Sequence, residues 1–185
     1  MDELVLIKPG EEYIDEIIAY RQEFIDAGET VSGVYGAFNG DIREWIEFCR
    51  LSERRETLPD WPSPYFVEHT QYLLLRQFDG KILGNIMLRH ILNGPLREHG
   101  GHIGYSVRPS ERRKGYAKAM LALCLAKCRE YGLNKVLITC DESNEASRWT
   151  ILACGGVFER TVTVGDESLE RYWIAPNRIV VGAIL

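Results

Sequence analysis

The sequence predicts a mixed α/β domain: a largely antiparallel central sheet flanked by helices, in the order β-α-α-β-β-β-α-β-α-β-β, with one βαβ-like crossover. Three observations carry that reading. Apolar residues recur at helical spacing from Glu11 to Ile25 and from Ile42 to Cys49, and the period changes to strand-like after the proline-rich stretch 60–64. Asp79-Gly80, between two apolar runs, is the dipeptide of a tight hairpin. Finally, a long helical stripe (Ala117, Met120, Leu121, Cys124, Leu125, Cys128) is followed by the short, almost wholly apolar run Val136 to Cys140, as a crossover into a buried strand requires.

The elements come in order. Leu4 to Lys8 alternates as a first strand, and Pro9-Gly10 breaks it. The first helix is marked by Tyr13, Ile14, Ile17, Ile18, Phe24 and Ile25, with acids in its opening turns where the helix dipole favours them. Gly28 opens a polar loop that runs to Gly40, and a second helix follows on Ile42, Trp45, Ile46 and Cys49, fading before Pro59. Strands are expected at Gln71 to Arg76, Ile82 to Ile91 and Gly101 to Val107, with a turn at Asn93-Gly94-Pro95. Gly132 stops the long helix. After the apolar strand, Ser143 or Asn144 caps a helix ending near Gly155-Gly156, and Val157 to Val164 and Leu169 to Ile174 pair antiparallel around Gly165-Asp166.

A chain of 185 residues suits one domain, spanning 1–185, with a real hydrophobic core. The apolar runs Ala119 to Ala126 and Ile179 to Leu185 fall short of the roughly 20 residues that cross a bilayer, and the acidic start Met-Asp-Glu-Leu does not resemble a secretory signal, so a cytoplasmic protein without membrane partners is expected. Five scattered cysteines without a CxxC pair argue against a disulfide scaffold and a zinc module; no metal is expected. Charge is uneven. Residues 1–60 carry 15 acidic and 6 basic side chains, while 61–185 carry 12 and 16. A duplex DNA binder would show a broad basic face, so nucleic acid is disfavoured as a partner.

The basic residues gather at one place. Gly104-Tyr105-Ser106-Val107-Arg108-Pro109 ends a strand, and Arg112-Arg113-Lys114-Gly115-Tyr116-Ala117 opens a helix through a glycine turn. Free N–H groups at such a helix start receive a phosphate, and Gly115 lets the backbone approach its oxygens. Read alone, this is also what a solvated basic turn looks like. The spacing is neither a Walker loop nor a dinucleotide fingerprint.

Arg112-x-x-Gly115-x-Ala117 after a strand resembles motif A of the GNAT superfamily, the acetyl-CoA-dependent N-acetyltransferases. The strand Val136 to Cys140, then Asn144-Glu145-Ala146-Ser147 and Gly155-Gly156-Val157-Phe158, resemble that family's next strand, its next helix and the strand beyond it. The resemblance covers residues 70–175 by motif, as an acetyl-CoA-binding core, and 1–70 only by the order of elements, as acceptor-side helices. It implies acetyl-CoA as co-substrate and an amine acceptor, a small molecule or a peptide or protein, and it leaves a homodimer open. Backbone amides from Arg112, Arg113, Lys114, Gly115, Tyr116 and Ala117 would hold the pyrophosphate. Val107 would pair with the pantetheine arm, and the Tyr105 N–H, where the fourth and fifth strands splay, would face the thioester carbonyl. Asn144 would bond a pantetheine amide with Ser147 close by; equally, Asn144 is an ordinary helix cap and Ser147 a surface serine.

Two catalytic positions depart from the family pattern. The carboxylate base expected near the start of the fourth strand falls at Gly101, next to His102, which is chemically able to serve or simply to bond within the sheet; Glu98, His99 and His90 lie near. The tyrosine acid expected seven residues after Asn144 is Ile151, and Tyr172 is the substitute to try. The acidic N-terminal region, with Trp45, Trp61 and Tyr65, suits a cationic amine or is a solvated face with core anchors. Against direct transfer in a ternary complex stand a degenerate acyl-CoA sensor, favoured by the missing tyrosine, and a nucleotide- or phosphopeptide-binding module using the turn 112–114.

Overall fold

The strands form two sheets joined at one end. In the computed structural model, which describes residues 3–36 and 38–178, β1 (Leu4–Ile7), β2 (His69–Arg76), β3 (Lys81–Arg89) and β4 (Ile103–Val107) make an antiparallel sheet in that order. The second sheet has the order β5 (Val136–Asp141), β7 (Glu167–Ile174), β6 (Val157–Val164), so the last strand inserts between its two predecessors. Helices α1 (Ile14–Asp26), α2 (Ile42–Leu51), α3 (Tyr116–Glu130) and α4 (Glu145–Ala153) complete the element order expected from the sequence. The run Ile179 to Leu185 lies outside the described residues.

Alternation along β2 shows how the layers are built. Leu73 and Leu75 pack with Ile17, Tyr20, Trp45 and Ile82 under α1 and α2. Leu74, one residue on, packs with Ile86, Leu121, Cys124, Leu125 and Ile138 under α3. Successive side chains point to opposite faces, so one apolar strand serves two cores. All five cysteines are free and buried, as small hydrophobes. Truncating Leu74, fully buried between β-sheet and α3, carries the usual core penalty of about 2–5 kcal/mol.

The boundaries differ from the expected ones where local patterns are weak. The first helix starts at Ile14 after a short 3-10 turn at Glu11–Tyr13, and β3 stops at Arg89, before Ile91. Residues Leu96–Gly100 wind into a π-helical turn that no hydrophobic period signals. β4 begins at Ile103 because Gly101, in the left-handed region at φ +68°, has left the register to bridge to Ile138.

Candidate active site

The join between the sheets sets the geometry. Gly101 bridges Ile138, the His102 N–H donates to the Leu137 carbonyl (2.7 Å), and His102 Nδ1 accepts the Leu137 N–H (2.9 Å). Beyond this stitch β4 and β5 share no further strand pairing, and a cleft of about 980 Å³ opens between residues 103–107 and 139–141. The β3–β4 register decides what faces it. Arg89 N–H bonds the His102 carbonyl and Arg108 N–H bonds the Leu83 carbonyl, both at 2.8 Å, so Gly104 and Ser106, which alternate with them, direct their backbone groups to β3, while His102 gives β3 its carbonyl alone. Antiparallel pairing alternates, so Ile103, Tyr105 and Val107 turn their N–H and C=O groups toward the open side.

The turn after β4 forms one end of the cleft. Arg108 is buried and clamped by Glu23 (2.6 Å) and Glu16 on α1. Glu111 is 4% exposed; burial pushes its carboxyl up, but bonds from Lys81 (2.7 Å) and Lys114 (2.9 Å) outweigh this and hold it at about 2. Arg112 pairs with Glu29 through two bonds (2.8 and 2.5 Å), lies over the Phe24 ring, and donates from Nε to the Val107 carbonyl (3.1 Å). Arg113 (φ +64°) and Gly115 (φ +87°) are both left-handed, which gathers successive amides into a concavity. The α3 ladder closes first from Ala119 N–H to the Gly115 carbonyl (3.1 Å), leaving the Ala117 and Lys118 amides outside it. Lys114 and Arg112 are thus tied to carboxylates, and Arg113 has no ion-pair partner among the described residues. Backbone dipoles, with the Arg113 side chain lining the same cleft, are what remain for the anion position.

The opposite wall is α4. Asn144 lines the cleft and caps the helix, its Oδ1 accepting the Ser147 N–H (3.0 Å). Ser147 Oγ lies 2.8 Å from the Tyr105 hydroxyl, and burial pushes the Tyr105 phenol up to about 12. No spacing signals this pair, whose partners are 42 residues apart. Ile151 is fully buried. Tyr172 is 2% exposed, donates to Glu170 (2.7 Å) and does not line the cleft.

The titratable residues expected near the strand start are elsewhere. His102 is buried, its Nδ1 is used by Leu137, and burial pulls the imidazole down to about 4; the ring therefore carries its proton on Nε2. Glu98 pairs with Arg160 (2.8 Å), the His99 carbonyl accepts from Thr139 (3.1 Å), and His90 bonds Thr70 (2.9 Å) and stacks on Tyr131. None of the four lines the cleft. Among the described residues no cluster of His, Cys, Asp and Glu can hold a metal.

On the α1–α2 side, Trp45 is a core anchor whose indole donates to the Tyr35 carbonyl (2.9 Å). Trp61 is 39% exposed and packs on Phe48 and Phe66, while the Tyr65 carbonyl accepts the Tyr35 hydroxyl (2.5 Å). Six of the acids of this region are engaged within the chain: Glu16 and Glu23 by Arg108, Glu29 by Arg112, Glu47 by Arg50, Glu53 by Lys8, and Asp41 as the cap of α2.

No curated protein matches the sequence. Solved structures share the fold. The ribosomal-protein-S5-alanine acetyltransferase of Vibrio fischeri is 15% identical, with 96% of each chain covered and a TM-score of 0.70. RimJ of Mycobacterium smegmatis, solved with CoA-disulfide, is 18% identical over 98% of this chain and 87% of its own, again with a TM-score of 0.70. The microcin C7 self-immunity acetyltransferase MccE, solved with acetyl-CoA and AMP, is 19% identical over 95% and 93%, with a TM-score of 0.66. The sequence pattern of the acetyltransferase (GNAT) family matches residues 39–155, more than half of the molecule and including the β4 edge, the left-handed turn and α4, and the chain belongs to that family.

Proposed function

We propose that the protein moves an acetyl group from acetyl-CoA to a primary amine by direct transfer in a ternary complex. The observation that carries this is the unpaired edge of β4, with the outward amides of Tyr105 and Val107 leading to the left-handed turn at Arg113–Gly115. An extended thioester arm can lie along that edge as an added strand, with its pyrophosphate on the Gly115–Lys118 amides. The relatives solved with acetyl-CoA or a CoA disulfide support the assignment.

In this reading the Tyr105 N–H donates to the thioester oxygen and strengthens its bond as the amine attacks and the oxyanion forms. The carbon–sulfur bond then breaks. The Tyr105–Ser147 hydroxyl pair, protonated up to high pH, lines the cleft and can hand a proton to the leaving thiolate. An ordinary thiol has a pKa of about 8.5, so that help is useful without being obligatory. His102 serves the β4–β5 stitch, and the amine enters as its free base, losing its proton to water after attack.

Thiol release from acetyl-CoA with a panel of amines, alongside calorimetry with CoA, is the test. Release that depends on the amine, with kcat/KM following the amine's own ionisation, is expected. CoA binding without release from any amine would instead favour a sensor, a reading that Ile151 at the family's acid position supports.

A further inference from the structure

Three arginines are buried among the described residues, and they differ in one respect. Arg108 is held by Glu16 and Glu23, and Arg171 by Glu159 (2.7 Å). Arg89, at the end of β3 and 8% exposed, has no carboxylate partner among the described residues. Its Nε and Nη2 donate to the Tyr35 hydroxyl (3.1 and 2.8 Å) and its Nη1 to the Gly101 carbonyl (3.0 Å), all neutral acceptors. The Tyr35 hydroxyl is itself committed as a donor to Tyr65. Of its five N–H groups, one on each Nη is left over.

Unfilled polar atoms accompany it on the same sheet face. His69, paired with Arg89 across β2–β3, uses Nδ1 on the Val67 carbonyl (2.9 Å) and leaves Nε2 buried with no partner. Gln71, two residues along the strand, leaves Oε1 in the same state. The positive charge is felt locally: burial first, and Arg89 after it, pull His69 down to about 4. Tyr35, Phe48 and Phe66 ring His69, and half-exposed Trp61 closes the aromatic rim. A buried cation without a counter-charge is costly, and a buried polar cluster left half satisfied is equally so.

We propose that Arg89 receives a carboxylate of the acceptor, so that the substrate class is an amine bearing a free carboxylate several bonds from the reacting nitrogen. This rests on the transfer reading above. Arg89 bonds the backbone of His102, three strand residues (about 10 Å) from the Tyr105 N–H, which sets the spacing between carboxylate and amine. The N–H groups left on Nη1 and Nη2 are the charged donors available to the carboxylate oxygens. His69 Nε2 and Gln71 Oε1 are further unfilled acceptors on the β2 side of Arg89.

The test compares ε-aminocaproate with its carboxamide and with an aminoalkyl phosphate as acceptors. The carboxylate is expected to exceed the amide by roughly 10–100-fold in kcat/KM, almost all of it in KM, as uniform binding to one charged group requires. Arg89→Leu should bring ε-aminocaproate down to the amide's level, so that the kcat/KM ratio of the two acceptors falls to about one whatever the variant does to both. Should that variant fail to fold, Arg89→Gln, which keeps a donor toward Tyr35 without the charge, reads the same difference. Equal use of acid and amide by the wild type, preference for a polycationic amine, or equal losses for both acceptors in the variant would overturn the proposal. So would an Arg89-dependent preference for the phosphate. If no amine releases thiol, the transfer reading fails by itself, and calorimetry decides the inference: N-acetylated ε-aminocaproate titrated into the CoA-bound protein should bind, and Arg89→Leu should abolish binding. Absence of wild-type binding would sink it.

Discussion

The two halves of the site are built from different materials. The turn from Arg108 to Tyr116 presents backbone amides, while its Arg112 and Lys114 are held by Glu29 and Glu111. The proposed acceptor side, around Arg89, His69, Gln71 and Tyr35, would rely on buried side chains brought together from β2, β3 and the loop before α2. A backbone site depends on conformation and tolerates changes of side chain, provided the left-handed positions survive. A side-chain site depends on each identity and on the distant packing that holds it. The first suits a cofactor shared by a whole family, the second an acceptor that differs among its members.

The largest effect expected on the backbone half comes from Gly115→Glu. No atom lies within 4 Å of a Cβ built at Gly115, so the fold has room, but φ +87° strains any L side chain and the new carboxylate faces the pyrophosphate position. CoA affinity by calorimetry should fall at least about 100-fold, while the melting temperature moves by only a few degrees. Gly115→Ala separates the two causes, since it carries the strain (about 1–2 kcal/mol) without the charge. Affinity unchanged in both variants would remove the cofactor from this turn.

A smaller effect is expected where side chains meet the cofactor half. If the Tyr105–Ser147 pair protonates the leaving thiolate, Tyr105→Phe and Ser147→Ala should each lower kcat by about tenfold or less, because a thiolate departs tolerably unaided. The double variant should lose no more than the worse single one, as members of one hydrogen-bonded pair do. Since burial raises the phenol to about 12, no loss of kcat is expected as pH rises to 10.5. A falling limb near pH 10 that vanishes in Tyr172→Phe would move the acid to Tyr172.

How much of this was legible obeys the same division. The turn's conformation was readable because it is carried by local signals: Pro109 ending a strand, Gly115 opening a helix, and a stripe of apolar residues behind it. Element order was readable for the same reason. The role of His102 was not, because proximity to the expected base position says nothing about which way an imidazole points. The π-helical turn and left-handed Gly101 aim the ring at Leu137, not at the cleft. Arg89 was invisible as well, since a buried cation is informative only once its carboxylates can be looked for. The acidic N-terminal region suggested a cationic acceptor, yet many of its acids bind this chain's own arginines and lysines.

His102 offers a stability test of moderate size. His102→Ala leaves the buried Leu137 N–H without its acceptor, a loss of about 1–3 kcal/mol. His102→Asn can return an acceptor to the Nδ1 position and should recover much of it, with kcat within a fewfold of wild type in both. A base would lose 10²–10⁴-fold and no asparagine would rescue it. The pH dependence has a definite sign. His69 and His102 are each held near 4 by burial, against an ordinary 6.5, so the unfolded chain binds more protons between those values. Their contribution is complete above about pH 6.5 and is lost as pH falls toward 4, by up to about 3 kcal/mol for each ring. Melting curves across that window should be less steeply pH-dependent in His102→Asn than in the wild type.

The smallest expected effect lies where the two halves touch. Glu29, on the loop after α1, holds Arg112 at the rim of the turn; the Arg112 bond lowers its carboxyl below the usual range. Both side chains are about 40% exposed, and such a pair contributes little to folding once solvent and salt screen it. Its consequence is for the anion. Glu29→Gln removes one negative charge beside the pyrophosphate position and releases the guanidinium toward it. CoA affinity should rise two- to fivefold at low salt, a range that corresponds to about 0.4–1 kcal/mol, and the gain should disappear near molar salt, where screening acts over about 3 Å. A fall in affinity would carry the opposite lesson. Arg112 also donates to the Val107 carbonyl (3.1 Å), so loss of Glu29 would then have loosened the end of the β4 edge. In that case the backbone site would depend on a side chain from the acceptor half, and the division between the two would not be clean.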